Sequence, residues 1–241
     1  MQGVNASPTT ASMPARLLNR SIGKKILMSF SGLVLLGYVV GHLIGNLQIF
    51  VGQNALNAYA VFLHSIGAWL WIIRAFLLAM LIIHVWTALR LYFENRAARP
   101  IGYKRKVYQE ATLSSRTMIW TGIGVFLFVV YHLMHFTLII TNPQYSHLED
   151  ALGRHDVYSM VILGFQNYLI SAVYIVSIAI VSYHVAHASK SMFQTWGLND
   201  TNFEKILHPA TVIFAWLIFL GYVSIPIAVL TGFVKLPEGV I

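Results

Sequence analysis

Residues 26–48 read ILMSFSGLVLLGYVVGHLIGNLQ, and this largely apolar run follows a polar segment that ends in Lys24 and Lys25. About 20 apolar residues are needed to cross the hydrocarbon core of a bilayer as a helix. The run is longer than the apolar part of a cleavable signal peptide, and no small-residue cleavage site follows it. We therefore predict a retained transmembrane helix behind a short N-terminal tail, residues 1–20.

Four further apolar runs are long enough to cross a membrane; they cover approximately residues 66–92, 116–140, 160–189 and 209–234. The chain is 57% hydrophobic and 10% charged, whereas soluble domains carry about 25% charged residues. Pro100, Pro143 and Pro209 fall where helices are expected to start or stop, and Pro226 lies within the last run, where a bundle tolerates a kink. The sequence thus predicts an all-α integral membrane protein, a bundle of five transmembrane helices in one domain over residues 21–241.

Lys and Arg are distributed unevenly between the connections. The tail region holds four of the 16, the connection after the second run seven and the connection after the fourth run two, which places 13 on one side. Cytoplasmic loops carry such an excess, so we predict a cytoplasmic N-terminus and an external C-terminus. This topology explains the net charge of +8 without a nucleic-acid partner. The basic connection is expected to face anionic lipid headgroups or soluble subunits.

Four histidines lie inside four of the apolar runs, at only two depths. His42 and His132 are each about 16 residues, roughly 24 Å of helix, from the basic ends of their runs. His84 and His184 are each about 6 residues, roughly 9 Å, from that side. Ionisable groups inside a membrane are costly and indicate function. A neutral imidazole bonded to a helix carbonyl is the alternative, but the matched depths favour two ligand pairs about 15 Å apart.

The residue types restrict what such pairs can bind. The chain has no cysteine, and its eight acidic residues lie outside the apolar runs, which excludes iron–sulfur and carboxylate di-iron ligation by this chain. Two histidines fill only half of a tetrahedral zinc site. Haem supplies four equatorial nitrogens and needs only axial ligands. The sequence therefore predicts that the bundle encloses two stacked haems, held by His42 with His132 and by His84 with His184.

His135 and His187 each follow a proposed ligand by one helical turn, so either member of each His-x-x-His pair could ligate. Propionate contact, quinone contact or interfacial hydrogen bonding are the other roles open to them. Glycines on the first and third runs would leave room for the edge of a macrocycle, although ordinary helix packing is the simpler explanation. These are Gly32, Gly37, Gly41, Gly45, Gly122 and Gly124.

Short segments spread over almost the whole chain beyond the tail carry a further pattern. They are Ser21-Ile22-Gly23-Lys24-Lys25, Gly41-His42-Leu43-Ile44-Gly45-Asn46-Leu47, Ala58-Tyr59, Phe62-Leu63-His64-Ser65, Glu94-Asn95-Arg96-Ala97-Ala98-Arg99-Pro100, Ser115-Arg116-Thr117-Met118, Tyr131-His132, Asp156-Val157-Tyr158 and Phe193-Gln194-Thr195-Trp196-Gly197. In order, spacing and helix count the chain resembles the dihaem cytochrome b subunit of succinate dehydrogenase and fumarate reductase. No single segment is decisive.

The resemblance implies a five-helix anchor of respiratory complex II in a bacterial inner membrane, with two haem b groups. His42 and His132 would ligate the distal haem near the outer face, and His84 and His184 the proximal haem. The implied partners are an iron–sulfur subunit and a flavoprotein subunit with covalent FAD, which oxidises succinate. The electron acceptor would be a quinone, with menaquinone expected. Some fumarate reductases of this type carry a glutamate two residues before a haem ligand, where this chain has Ser182, so a glutamate-based proton route is not expected.

Polar residues toward the outer side are candidates for contacting the quinone or the haem propionates: Asn46, Gln48, His64 and Arg74. Arg74 could instead extend its side chain to the membrane interface. Three other functions stay open. The chain could be the cytochrome b anchor of a hydrogenase or formate dehydrogenase, a haem-free anchor, or a transporter, although the apolar runs lack the acidic residues and paired broken helices of transporters.

Overall fold

The computed structural model describes residues 20–98, 113–198 and 200–237, which form helices, turns and one antiparallel bridge between Glu149 and His155. The helices are α1 (Ser21–Asn46), α2 (Gln53–Ser65), α3 (Ala68–Ala97), α4 (Leu113–His132), α5 (Val157–Phe165), α6 (Tyr168–Thr195) and α7 (Thr201–Leu230). Short 3-10 turns cover Leu47–Phe50 and Pro143–His147, and a π-helical turn covers Leu133–Thr137. The tail up to residue 19 and Pro100 lie outside the described residues.

Five of these segments are long and apolar enough to cross a membrane: Ser21–Phe50, Ala68–Ala97, Thr117–Thr137, Tyr168–Thr195 and Asn202–Leu230. Many of their large apolar side chains, including Trp69, Leu127 and Leu217, are more than half exposed. Such surfaces suit a hydrocarbon solvent, since a helix satisfies its backbone hydrogen bonds internally and needs no water. Over the described residues the predicted all-α fold is confirmed, with five helices long and apolar enough to span a membrane.

The fourth apolar run begins later than the sequence predicts. Instead of one helix from residue 160, the chain forms α5, which ends at Phe165, and α6, which begins at Tyr168. The side chain of Asn167 accepts hydrogen bonds from the amides of Leu169 and Ile170. An asparagine in this position caps a new helix, so the apolar run is divided by a local polar signal that mean hydropathy does not register.

The last helix also differs from its prediction, because Pro209 does not mark its start. The proline lies inside α7, which begins at Thr201. The first turns of α7 are held against the end of α6 by an ion pair, in which Lys190 Nζ lies 2.6 Å from Glu204 Oε1. The helix thus continues N-terminal to the proline, and the segment that is long and apolar enough to cross a membrane starts at Asn202.

The spanning helices form two groups. The first pairs α1 with α3; in the second, α6 packs along both α4 and α7. The groups meet where α1 touches α6 and α7, and there the hydroxyl of Tyr222 donates a 2.7 Å hydrogen bond to the carbonyl of Val39. A side chain pointing from α1 or α3 toward α4 or α6 therefore bridges the two groups.

The two ends of the bundle have different chemistry. Where α1 begins and α3 ends, the 3% exposed Lys24 side chain forms an ion pair with Glu94, at 2.5 Å; we call this the basic end. At the opposite end, which we call the capped end, the short helices α2 and α5 pack against each other. Gly52 and Gly67 bracket α2 with φ angles of +124° and +56°, values that side chains rarely adopt.

A buried polar cluster joins α2 to the start of α5 at the capped end. The fully buried Asp156 accepts hydrogen bonds from Gln53 (2.8 Å) and Asn57 (2.9 Å). Asn57 also donates to Asp150, whose carboxylate lies 2.7 Å from Arg154. The Arg154 side chain holds the pKa of Asp150 well below its usual range. Burial would raise the pKa of Asp156, but its hydrogen bonds keep the net shift downward.

Candidate functional site

Two pairs of histidine rings meet between the two helix groups. His42 on α1 and His132 on α4 have ring centroids 5.7 Å apart, with an interplanar angle of 78°. His84 on α3 and His184 on α6 have centroids 6.5 Å apart, at 69°. We call these the capped-end pair and the basic-end pair. Within the described ranges, no group of three His, Asp or Glu side chains converges as a metal site of its own.

Oxygen atoms hold both rings of the basic-end pair. His84 Nδ1 lies 3.2 Å from the carbonyl oxygen of Met28 and 3.4 Å from the hydroxyl of Ser31. His184 Nδ1 lies 3.2 Å from the hydroxyl of Thr121, which donates its own proton to the carbonyl of Met118. Both Nδ1 atoms must therefore act as donors, since the carbonyl and the committed hydroxyl can only accept. The Nε2 lone pair of each ring remains available for a metal.

Aromatic rings surround the capped-end pair. Tyr38, one turn before His42 on α1, stacks on its imidazole with centroids 5.4 Å apart and planes at 13°. His132 contacts the ring of Phe128 at 5.9 Å and lies 3.4 Å, Nδ1 to Oη, from Tyr174 on α6. The His42 ring makes no hydrogen bond to a described group. This pair is thus positioned mainly by ring packing.

The ring separations suit two imidazoles on opposite sides of one metal ion. An imidazole nitrogen binds a transition metal at about 2 Å, and adding the ring radius on both sides puts two trans centroids about 6 Å apart. The observed separations of 5.7 and 6.5 Å bracket this value. Both separations would therefore accommodate two imidazoles on one haem iron, which would bring its other four nitrogens itself.

Two glycines lie directly against the basic-end pair. A Cβ atom at Gly32 would lie 3.1 Å from Cε1 of His84, and one at Gly122 would lie 3.6 Å from Cε1 of His184. The first distance is closer than ordinary van der Waals contact. Gly32 therefore lets the His84 ring lie close to α1, where the Met28 carbonyl accepts its Nδ1 proton.

The other glycines divide between the two roles that the sequence left open. Cβ atoms at Gly37 and Gly41 would have no neighbour within 4 Å, so these positions leave an open face on α1 near His42. A Cβ at Gly45 would lie 2.5 Å from the ring of Tyr59, which makes this glycine a packing residue between α1 and α2. Gly124 likewise packs against α6.

Three of the predicted quinone or propionate contacts lie near the capped end but do not converge. The side-chain amide of Asn46 donates to the carbonyl of His42 at 2.7 Å, within its own helix. Gln48 is half-buried in the 3-10 turn that follows α1. His64 is exposed on α2, with Nδ1 2.8 Å from the carbonyl oxygen of Ala60. Among the described residues, none of the three forms a side-chain hydrogen bond with a histidine ring of the pairs.

Arg74 is connected to the capped-end pair through an aromatic side chain. Its guanidinium lies 5.0 Å from the ring centroid of Trp71, one turn earlier on α3, and is exposed. It also interacts electrostatically with Tyr38, the residue that stacks on His42. Arg74 thus places a cation near Tyr38 on this side of the capped-end pair, a charge that would suit an anionic or carbonyl-bearing ligand.

His135 and His187 have different surroundings, although the sequence treats them alike. His135 is fully buried, and its Nδ1 lies 3.0 Å from the hydroxyl of Tyr174. His187 lines a cavity of about 400 Å³ between α6 and α7, together with Lys190 and His208. Neither ring is paired with another histidine across the helix groups, so His132 and His184 are the members of their His-x-x-His pairs that meet a partner.

Sequence reasoning missed the residues that hold the imidazoles. Thr121 and Ser31 have no distinguishing spacing, since a hydroxyl bonded back to its own helix carbonyl is common in membrane helices. Tyr174 lies 42 residues from His132 along the chain and becomes its neighbour only through the packing of α4 on α6. The contact of Tyr38 with His42 could have been predicted, because an aromatic residue one turn before a histidine lies on the same face of the helix.

The chain matches no protein-family model, no curated protein and no solved structure. The resemblance to succinate dehydrogenase anchors therefore rests on the segments quoted above.

Proposed function

We propose that this chain is the cytochrome b membrane anchor of a succinate:quinone oxidoreductase, in which two haem b groups link an iron–sulfur partner subunit to a membrane quinone. The two histidine pairs carry the proposal. Each pair joins a helix of one group to a helix of the other at a ring separation that suits a bis-imidazole iron. The resemblance supplies the enzyme class, and the pair geometry supports the cofactor.

The ligands follow from the pairs. His42 with His132 would hold one haem and His84 with His184 the other. Haem bound at these positions supplies one-electron transfer, while the protein fixes its position and tunes its potential. At the basic-end pair, the oxygens of Met28 and Thr121 accept from Nδ1 of both imidazoles, which leaves Nε2 as the atom for ligation. Such partners orient the ring and strengthen it as a ligand.

The chain itself performs no succinate chemistry in this proposal. Succinate would be oxidised at the FAD of the flavoprotein partner, and an iron–sulfur partner would deliver electrons at the basic end. The quinone, with menaquinone expected, would bind near the capped-end pair. The support for that end is the Arg74 guanidinium, whose charge reaches Tyr38 beside His42. Arg74 and the Tyr38 hydroxyl are donors suited to quinone carbonyls or haem propionates.

A pyridine haemochrome assay on the purified chain tests the cofactor, and about two haem b per chain is the expected result. The partners are tested by purifying the complex from its native membrane and assaying succinate-dependent quinone reduction. Recovery of a flavoprotein and an iron–sulfur subunit is expected. Well-folded protein without haem would defeat the proposal and leave the haem-free anchor or transporter. Recovery of a hydrogenase or formate dehydrogenase subunit instead would keep the haems and replace the enzyme class.

A further inference from the structure

The hydroxyl of Tyr174 lies between two histidines of one helical turn. It is 3.0 Å from His135 Nδ1 and 3.4 Å from His132 Nδ1. Tyr174 is 5% exposed and His135 is fully buried. His132 ends α4, and His135 lies in the π-helical turn Leu133–Thr137 that follows. Such turns are rare and concentrate at functional sites, and this one directs both Nδ1 atoms to the same phenol.

When both imidazoles are neutral, the proton count leaves two arrangements in which the buried phenol donates its proton within this trio. A phenol has one proton to donate, and a neutral imidazole carries its proton on one of its two nitrogens. Tyr174 can donate to His135 and accept from His132, or donate to His132 and accept from His135. In the first arrangement His132 has its proton on Nδ1 and its lone pair on Nε2. In the second, the Nε2 of His132 carries the proton and cannot bind a metal.

The distances favour the first arrangement. Bonds donated by hydroxyl groups are shorter than those donated by ring N–H groups, with typical donor–acceptor distances of about 2.5–3.0 Å for the former. The 3.0 Å contact with His135 suits donation by the phenol, and the 3.4 Å contact with His132 suits the weaker N–H donor. In this arrangement the buried Nε2 of His135 carries a proton, and it has no hydrogen-bond partner among the described residues.

The unpartnered Nε2 of His135 lowers the stability of the fold. A buried polar atom without a hydrogen bond costs about 1–3 kcal/mol, and its persistence in a native fold calls for an explanation. A leucine of similar size would remove the cost if His135 served only for packing. What histidine offers here is the Nδ1 acceptor that faces the phenol.

We propose that Tyr174 and His135 are positioning residues that fix the tautomer of His132, so that its Nε2 lone pair is presented for ligation at the capped end. This inference rests on the proposed function, since it assumes that His132 is a haem ligand. It gives His135 the role of acceptor at the end of the chain His132–Tyr174–His135. His135 is then neither a rival ligand nor a quinone contact.

The test is a redox titration of the two haem centres in the intact complex with a Tyr174→Phe variant. Losing the acceptor makes His132 a weaker donor to iron, so the midpoint potential of the capped-end centre rises while that of the basic-end centre is unchanged. Tyr131→Phe is the matched control. Its ring lies 5.9 Å from that of Tyr174, but its hydroxyl makes no hydrogen bond to a described group, so neither potential should move.

Variants at His135 test the same arrangement without touching Tyr174. In His135→Leu the phenol proton loses its acceptor and can turn to His132 Nδ1, so retention of the capped-end haem during purification should fall. In His135→Gln the side-chain oxygen can accept the phenol proton, and retention should return toward that of the unchanged protein. A purely structural role of His135 predicts no such rescue by glutamine. These variants also decide the question if Tyr174→Phe fails to fold.

Three results would overturn the inference: an unchanged capped-end potential in Tyr174→Phe, equal shifts of both centres, or haem retention in His135→Leu equal to that of the unchanged protein. Each leaves the proposed function intact, because the unchanged protein still carries two haems. Failure of the proposed function gives a different result, namely no haem in the unchanged, well-folded protein.

Discussion

The two histidine pairs have similar ring separations, but different groups hold their rings in place. Both rings of the basic-end pair are held through Nδ1 by oxygen atoms, the Met28 carbonyl and the Thr121 hydroxyl. In the capped-end pair only the His132 ring has a hydrogen-bond partner among the described residues, the phenol of Tyr174, and the His42 ring stacks on Tyr38. Ring separation is therefore set by the helices, whereas the electronic character of each ligand is set by its neighbours. Under the proposed function, two His–His pairs with different neighbours would give two electron carriers with different potentials.

The largest effect is expected from removing one ring of a pair. His42→Ala should lower the haem content from two per chain to one and leave the basic-end centre, and His84→Ala should do the reverse, because each iron needs both axial imidazoles. Pyridine haemochrome content with separate redox titration of the remaining centre measures this. His64→Ala removes an exposed histidine outside both pairs and should keep two haems. Two haems with unchanged potentials in His42→Ala would show that the pairing is wrong.

The sequence was sufficient to predict the long apolar helices and to predict which histidine rings lie next to each other. Apolar length is a property of the chain itself, and the depth of a residue in a membrane helix follows from its distance to the basic end at a fixed rise. The pairs of equal depth, His42 with His132 and His84 with His184, are the pairs whose rings meet in the structure. The role of these rings as haem ligands stays a prediction.

What the sequence could not supply depends on rotation about the helix axis and on local capping. Depth says nothing about which face of α6 turns toward α4, and that face decides that Tyr174 reaches His132 while His187 lines a cavity beside α7. The break before α6 depends on one side chain, Asn167, that caps a helix within an apolar run. Average hydropathy cannot detect either feature.

The next largest effect is expected from a bulky residue at Gly32, which should disturb the basic-end pair and leave the capped-end pair unchanged. In Gly32→Val the new side chain would occupy the space 3.1 Å from the His84 ring, so the basic-end haem should be lost or bound at well below one per chain while the capped-end centre remains. Leu33→Val is the matched control on the same helix, since the Leu33 side chain is 40% exposed. Equal haem loss in both variants would indicate general damage to α1.

Weakening the buried polar cluster at the capped end should destabilise the capped-end haem site more than the basic-end site. Asp156→Ala removes the carboxylate that accepts from Gln53 and Asn57 and should cost about 2–3 kcal/mol, as hydrogen bonds to a charged group do. Hydrogen exchange should rise in α5, and the capped-end haem should be released before the basic-end haem. The exposed Glu149, which makes no side-chain hydrogen bond to a described group, gives the control Glu149→Ala. Release of both haems together would show that the cluster supports the whole bundle.

The same cluster fixes the direction of the pH dependence. The folded-state pKa values of Asp150 and Asp156 lie below their usual range, so their contribution to stability is complete above the unfolded-state value of about 3.9. It is lost as the pH falls through the lowered folded-state values. Between about pH 5 and 8 these carboxylates should therefore cause no change in the stability of the capped end, and acid-induced loosening of α5 should begin only below about pH 4. Loosening near pH 6 would assign the transition to other groups.

The smallest effect should come from the hydroxyl that supports the basic-end pair. Thr121→Val keeps the shape of the side chain but removes the acceptor of the His184 Nδ1 proton, so the ferric state loses part of its stabilisation and the potential rises. One hydrogen bond is worth about 0.5–1.5 kcal/mol, which corresponds to a rise of about 20–60 mV for one electron. Thr87→Val is the control, because this buried hydroxyl bonds only to the carbonyls of Ile83 and His84 in its own helix. If Thr121→Val raises the midpoint potential of the basic-end centre alone, and Tyr174→Phe raises that of the capped-end centre alone, the two centres are tuned separately. A shift of the capped-end centre in Thr121→Val would instead mean that α4 couples the two pairs, since Thr121 and His132 lie on the same helix.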